Sequence, residues 1–579
     1  MKTDPVTLEV LRNAFQSVAE EMGVTLTRTA LSPNIKDRRD CSTAVYTPQG
    51  ALVAQAEHIP LHLGLMPAVV KKVLEHFPAE DLAPGDAIII NDPYVSGSHL
   101  PDVCLVSPVF AGRRLLALVA NLAHHVDVGG MVPGSMSTTA TEIFQEGLRI
   151  PPVRICRAGR LNRELLQVLA HNVRTTEEFF GDIQAQLSAN RVGGKRLQEL
   201  AQKFGPETLA HYMEEIIRYA ERRFRATLKD VPPGTYRFTD FLEGDGLSGD
   251  LIEITAAVTV GPAGVRVDFT GTSPQVKGPV NATRSVTLAC VYFAVKAVCD
   301  PDLPASEGIA RVVEVVTPPG TLVNPRFPAA VAHANINTAQ RIADVVLGAL
   351  AQAVPHRVAA AGTGSMSNFT IGGEDGRGRY YSYVETYGGG QGGKAGRDGM
   401  DGVHVNMTNT RNTPVEVIEM SYPLLVRCYG LVTDSGGPGQ FRGGAGLARE
   451  ITLLENAAVS VSTERSLIGP WGLAEGLPGR NSRCLLEMPD GTREAVPGKF
   501  TRELHRGTTI ILETAGGGGF GPPHARPPEA VRDDVRDGLV SRAAALESYG
   551  VVLTETLDVD VEGTRKKRRS GAEPGTDVE

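Results

Sequence analysis

Two uninterrupted apolar runs, VCLVSPVF at 103–110 and LLALVANLA at 115–123, are joined only by AGRR. Runs of this length, rich in β-branched residues and bounded by turn residues, read as paired buried strands. Pairing them brings the polar turns at their outer ends to the same edge of a sheet. The first turn, which follows Asn91, carries His99 and Asp102; the second, which ends at Gly130, carries His124, His125 and Asp127. Metal sites are commonly assembled in this way from residues distant in sequence. The stretch is therefore read as a metal-dependent active site.

The remaining chain is read around it. Asp4 to Thr29 is an amphipathic helix, with Leu8, Val10, Leu11, Phe15, Val18 and Met22 at helical spacing, Asp4 as N-cap and Pro5 at the first position. Strands STAVYT and ALVAQ follow, with Asp40 at the mouth of the first. His58 and His62 bracket Pro60 before a helix expected to begin near Leu65. Three helices are expected between Leu161 and Leu228, then alternating strands from Pro232, then helices at SVTLACVYFAVKAV and TAQRIADVVLGALAQAV. The expected fold is α+β (mixed α/β) and multi-domain. A metal-site region with a mixed sheet spans 1–158, a helical region 159–230 and a mixed α/β region 231–361. A glycine-rich, β-rich region spans 362–525, a helical coda 526–553, and a charged tail expected to be disordered 554–579.

Composition narrows the function classes. At 579 residues the chain exceeds what one core supports. A net charge of -8 gives no reason to expect a nucleic-acid partner, and RKKRR at 565–569 is too isolated to reverse that. No apolar run approaches the roughly 20 residues needed to cross a bilayer, and no signal peptide is read at the start. Seven cysteines without a C-x-x-C pair suggest free thiols in a reducing cytoplasm.

Asp40, His99, Asp102 and His124 offer two imidazoles and two carboxylates, a set suited to one divalent ion; zinc comes first, with manganese or iron as alternatives. Spacing does not decide which of His124 and His125 points inward, because neighbours on a strand face opposite sides. Glu146, Asp127 and His125 are the candidates for proton transfer or for orienting a ligand. Glu142 stands four residues before Glu146 on a common helical face. Gly388 to Lys394 matches part of a phosphate-binding loop, but Ala395 replaces the hydroxyl residue and no helix follows, so that reading is rejected. Glu385 is a candidate substrate contact beside those glycines. AGGGGFG at 515–521 reads as a tight turn or an anion-binding nest. The hydroxyls of 135–139 lack a G-x-S-x-G frame, which excludes a serine hydrolase of that type.

These motifs carry a resemblance. IKDRRDCS, HIPLHLG, NDPYVSGSHLPD, AHHVDVGG with PGSMS, IFQEGLRIPP, VETYGGGQGG, DSGGPGQFRGGAG and AGGGGFGPP occur in one order from Pro5 to about Val552. Together they resemble hydantoinase B, the metal-binding subunit of the hydantoinase/oxoprolinase/acetone carboxylase group. The resemblance implies Asp40, His99, Asp102 and His124 as ligands of a single metal ion. It also implies a separate hydantoinase A-like ATPase subunit that phosphorylates the substrate, the partner using the ATP. The implied reaction is hydrolysis of a cyclic amide (a hydantoin, 5-oxoproline or a lactam) or, as the alternative, carboxylation of a ketone. Cys41 departs from the aromatic residue common after the aspartate in relatives, at a position that touches no expected ligand.

Overall fold

The computed structural model describes residues 3–570 apart from 57 and 96. Helix α1 (Pro5–Thr29) starts where expected, with the Asp4 carboxylate accepting from Thr7 N at 2.8 Å. The short helix α2 (Pro33–Lys36) leads into strands β1 (Cys41–Tyr46) and β2 (Leu52–Ala56), and then into α3 (Pro60–His76). Helix α3 begins at Pro60 rather than near Leu65, because proline is suited to a first helical turn that needs no N–H donor.

Strands β3 (Ala87–Ile90), β4 (Asp102–Ala111), β5 (Arg114–His124), β6 (Val153–Arg157) and β7 (Arg160–Leu161) complete a seven-stranded sheet of order β2-β1-β5-β4-β3-β6-β7. Every pairing in it is antiparallel, where a mixed sheet was expected. The helical connection α3 joins β2 to β3, which run the same way but are not neighbours, so it creates no parallel pair. Helices α4 (Arg163–Ala170), α5 (Thr176–Phe204) and α6 (Pro206–Thr227) follow. Both faces of the sheet are covered, which is why the strands read as unbroken apolar runs. Ala117, Val119 and Ala123 face Phe15, Met22, Ala189 and Met213, while Val103 and Leu105 meet Ile183 and Leu187. The polar residue inside the second run, Asn121, is buried and donates to Gln186 O at 2.8 Å and to Asn190 Oδ1 at 2.7 Å. A fixed side-chain network thus joins α5 to the sheet.

A second sheet comprises β8 (Gly234–Glu243), β9 (Leu251–Gly261) and β10 (Gly264–Asp268); helix α7 (Arg284–Cys299) intervenes before its edge strand, β11 (Val313–Val316). A π-helical turn at Ala334–Thr338 runs into α8 (Ala339–Ala351). Cys104, Val106, Leu118 and Leu122, on the other face of the first sheet, share one core with Met66 and Val70 of α3, Val291 and Val295 of α7, and Val346 of α8.

The glycine-rich part begins with β12 (Asn368–Glu374), β13 (Tyr380–Thr386), α9 (Val415–Ser421) and β14 (Leu424–Leu431). It continues through β15 (Leu447–Leu453), β16 (Ala457–Ser462), β17 (Arg483–Glu487), β18 (Arg493–Val496), β19 (Lys499–Leu504) and β20 (Thr509–Glu513). Sheets β13-β12-β16-β19 and β14-β15-β20-β17-β18 enclose Phe369, Val459, Ile451 and Leu512. Between these strands the three glycine clusters pack backbone against backbone. Gly390 N donates to Ala515 O at 3.0 Å, Gly393 N to Gly518 O at 2.9 Å and Gly517 N to Gly444 O at 2.9 Å. A Cβ on Gly517 would overlap the carbonyl of Gln391. These amides are committed to each other, so neither the 388–394 loop nor the 515–521 turn is an open nest.

The chain closes with α10 (Pro528–Arg536), α11 (Arg542–Glu547) and α12 (Val561–Ser570). The tail expected to be disordered therefore forms a docked helix through residue 570. Val552 N donates to Thr564 Oγ1 at 3.0 Å, and Arg568 donates to Tyr549 O and Arg526 O. The rest of that expectation, 571–579, lies outside the described residues. No helix among the described residues is long and apolar enough to cross a membrane. Gly517→Ala is expected to cost about 3 kcal/mol through overpacking. Gly430→Ala, at a position with open space around it, stays within about 0.5 kcal/mol; chemical denaturation measures both.

Candidate metal centre

Strand register builds the site. Asp102 opens β4, His124 closes β5, and the two are direct partners across the ladder. Opposite residues of such a pair project their side chains to one face. On the other side of β5, His124 N donates to Asp40 O at 3.0 Å, which places Asp40 beside the same edge. His99 lies in the turn before β4, where Asp102 N donates to His99 O at 3.2 Å. One ligand atom from each of His99, Asp102 and His124 falls within 4.8 Å of the others, and all three residues are buried. The two imidazole centroids are 5.0 Å apart. These groups line a cavity of about 30 Å³ together with Arg38, Asp40, His62 and Asn335.

The donor set fits a cation. His99 Nδ1 lies 2.9 Å from the carbonyl of Ala332, which can only accept, so Nδ1 carries the proton. That leaves Nε2 facing the cavity, buried and 3.3 Å from Asp102 Oδ2, as the atom that takes up either a second proton or a cation. Metal-binding histidines are usually oriented by such a carbonyl. Asp102 accepts from Ser98 Oγ and, at 3.1 Å, from Asn335 Nδ2. Burial opposes charge on both His99 and Asp102. Their mutual attraction prevails, raising the imidazole and holding the carboxyl below its usual range. A bound cation would take the place of the proton that Asp102 draws onto His99. Burial and the nearby His99 push His124 down to about 3, so its ring is neutral and available as a ligand. Burial raises Asp40 despite the opposing Arg38, and its carboxylate turns to Arg38 Nη2 at 3.7 Å. The structure therefore gathers three of the four expected ligands tightly and places the fourth on the same cavity wall.

Residues 4–523 match the sequence model of the family described as Hydantoinase B/oxoprolinase. The chain belongs to the hydantoinase B/oxoprolinase family. It is 34% identical to caprolactamase subunit beta of Pseudomonas jessenii, over 98% of this chain and 99% of that one. It is 36% identical to 5-oxoprolinase 1 of Arabidopsis thaliana over 90% of this chain, but spans only 42% of that longer protein. The crystal structure of the ATP-dependent caprolactamase from Pseudomonas jessenii superposes with a TM-score of 0.90 at 32% identity, covering 98% of this chain and 100% of that one. A nucleotide-free acetone carboxylase superposes with a TM-score of 0.90 at 20% identity, over 99% of this chain and 84% of that one, and shares the fold.

Within this hydantoinase B-type subunit, the three residues expected to move protons stand outside the cavity. His125, the first residue beyond β5, faces away from His124, with Nε2 3.0 Å from Gln186 Oε1 and its ring against Phe179. Asp127 accepts from the backbone N–H groups of Gly129, Gly134 and Arg174 and from Arg174 Nη1, which fully occupies it in holding its loop. Glu146 is buried behind His99. Its Oε1 accepts from Val331 N at 2.7 Å and Ala332 N at 2.8 Å, and burial pushes its carboxyl up to about 8. It anchors the peptide whose carbonyl orients His99.

Two cavity residues escaped the sequence reading as site groups. His62 rests Nδ1 against Ser42 Oγ at 2.9 Å. Arg38 donates to Asn34 Oδ1, Val384 O and Thr386 Oγ1 and pairs with Glu385 at 3.0 Å. Glu385 is thus a buried counter-ion of Arg38 rather than a cavity group. Only the run of charges around Asp40 hinted at Arg38, whose main partners lie some 350 residues away. Purified protein is expected to carry about one metal ion per chain by this ligand count, and His99→Ala to lose it. Asp127→Ala should keep the metal while costing about 3 kcal/mol of stability. Elemental analysis with thermal denaturation checks both, and full metal in His99→Ala would refute the site.

Proposed function

We propose that this chain is the metal-dependent subunit of an ATP-dependent cyclic-amide hydrolase. It acts on a hydantoin, 5-oxoproline or lactam that a hydantoinase A-like ATPase subunit has phosphorylated. The observation that carries the reading is the buried His99–Asp102–His124 cluster, in a chain matched end to end by a caprolactamase subunit. These three residues, with Asp40 from just before the adjoining strand β1, would hold one divalent ion, and the mixed nitrogen and oxygen set suits zinc first and manganese or iron next. Bound there, such an ion supplies Lewis acidity and lowers the pKa of water toward neutrality.

The protein's own groups supply orientation and proton transfer. Ala332, Ser98 and Asn335 fix the ligand side chains. Arg38, neutralised by Glu385 and hydrogen-bonded to Asn34, Val384 and Thr386, holds the cavity wall in place. Burial holds the His62 imidazole below its ordinary value against the pull of Asp102 and Asp40, so it is neutral and able to accept a proton. His62 therefore takes the proton-accepting role in place of Glu146, Asp127 and His125. The interlocked glycine amides support the assignment of ATP to the partner. The seven cysteines are free, which supports a reducing, cytoplasmic setting.

Co-expression with an ATPase-like subunit is expected to give ATP-dependent ring opening of lactams without bicarbonate, and neither subunit alone should turn over. His62→Gln should lower that turnover about 100-fold while keeping the metal. A requirement for bicarbonate with a ketone would assign the chain to the carboxylase alternative instead.

A further inference from the structure

At about 30 Å³, the cavity between the metal ligands has room for roughly two water-sized bodies. A phosphorylated cyclic amide is too large for it and has to stand at the mouth, with only its reacting carbon turned inward. Exposure shows where that mouth is. Of the residues lining the cavity, Asp40 alone is partly exposed, its side chain at 13%, and Thr410 follows at 8%. The strips that carry these two residues flank the opening. They run side by side, because Arg411 N donates to Arg38 O at 2.8 Å.

Each strip sets an exposed arginine beside the mouth, Arg39 directly before Asp40 and Arg411 directly after Thr410. Among the described residues neither guanidinium has an ion pair or a hydrogen bond, although Asp37 and Asp40 stand close by in the chain. Arg38, by contrast, is neutralised by Glu385. Arg39 also holds a left-handed backbone, φ 56°, which favours glycine or asparagine. Its neighbours impose that geometry: Asp40 N donates to Asn34 O at 3.0 Å and Cys41 N to Arg39 O at 2.9 Å. Backbone strain of this kind gathers at binding and catalytic sites. A glycine would meet the geometry freely and lose the charge.

Resting on the cyclic-amide reading above, we infer that Arg39 and Arg411 form a phosphoryl site at the mouth of the metal cavity. It holds the phosphate of the activated substrate while the carbon to be attacked faces the ligands. Guanidinium groups present planar pairs of N–H donors that match phosphoryl oxygens, and they stay charged at any working pH. An unpaired arginine gives up no existing partner to bind an anion, which Arg38 would have to do. Free inorganic phosphate carries the same chemistry and is the second possible occupant.

Phosphorus NMR titration of the full, metal-loaded chain with inorganic phosphate tests the site. Arg39→Gly and Arg411→Gln should each weaken phosphate at least about tenfold, with metal content unchanged. Arg39→Gly should keep its Tm, because relief of the strained φ offsets the added chain entropy, so its loss of phosphate is not a folding defect. In the complex reconstituted with an ATPase-like subunit, both variants should consume at least about threefold more ATP per ε-caprolactam opened, as activated substrate escapes to water. Unchanged phosphate affinity in both variants overturns the inference, since the metal centre alone would then hold the anion. A wild-type chain that binds no phosphate overturns it too. Weakened phosphate with an unchanged ratio of ATP to lactam overturns the substrate role and assigns the site to free phosphate. A wild-type complex that opens no lactam overturns the cyclic-amide reading itself, while the titration still decides whether the two arginines bind phosphate.

Discussion

The antiparallel pairing of β4 with β5 is the constraint on which the site depends. Its register sets Asp102 opposite His124, and a slip of one residue would send every alternate side chain to the wrong face. His124 would then exchange places with His125, which packs on α5, and the ligand cluster would dissolve. The register is held by burial on both faces, with Val119 and Leu105 on one side and Leu118 and Cys104 on the other. The Asn121–Gln186–Asn190 network adds a polar lock that accepts one alignment only. Fold stability and site geometry therefore rest on the same contacts.

The site is closed by parts of the chain far from those strands. Arg38 is tied to Val384, Glu385 and Thr386 of β13, which brings the glycine-rich part against the metal ligands. A second buried network stands behind it. Arg341 of α8 donates to Asp240 of β8, and Arg465 donates to Asp240 and to Asp344. Buried ion pairs add little net stability once desolvation is counted, but breaking one leaves an uncompensated charge. Their effect here is to fix how β8, α8 and the glycine-rich part meet. The asparagine that steadies Asp102, Asn335, belongs to the π-helical turn leading into α8, so that arrangement reaches the ligands directly.

Much of this was legible in the sequence where local pattern decides structure. The two apolar runs, the Asp4–Pro5 helix start and the three helices between Arg163 and Thr227 follow from periodicity and capping. His99 and Asp102 stood out because a short turn joins them to the paired strands, whereas His124 was told from His125 only by the family resemblance. Proton-transfer groups were not legible, because their roles depend on which way a buried side chain turns. Asp127 and Glu146 look alike in sequence, yet one holds a loop through Arg174 and the other holds the peptide behind His99. Arg38 and Glu385 meet only through tertiary packing, which no local pattern encodes. The glycine clusters misled for a related reason. A run of glycines signals close backbone approach, and here the approaching group is another run of glycines.

X-ray absorption spectroscopy of the protein as purified tests the central claim most directly. Burial raises the thiols of Cys41 and Cys104 far above neutrality, which keeps them protonated and poor ligands even though both lie on strands that carry the site. The account therefore requires a first coordination shell of nitrogen and oxygen only, with the outer-shell scattering of two imidazoles. A sulfur ligand at the metal, or a shell without imidazole, would contradict it.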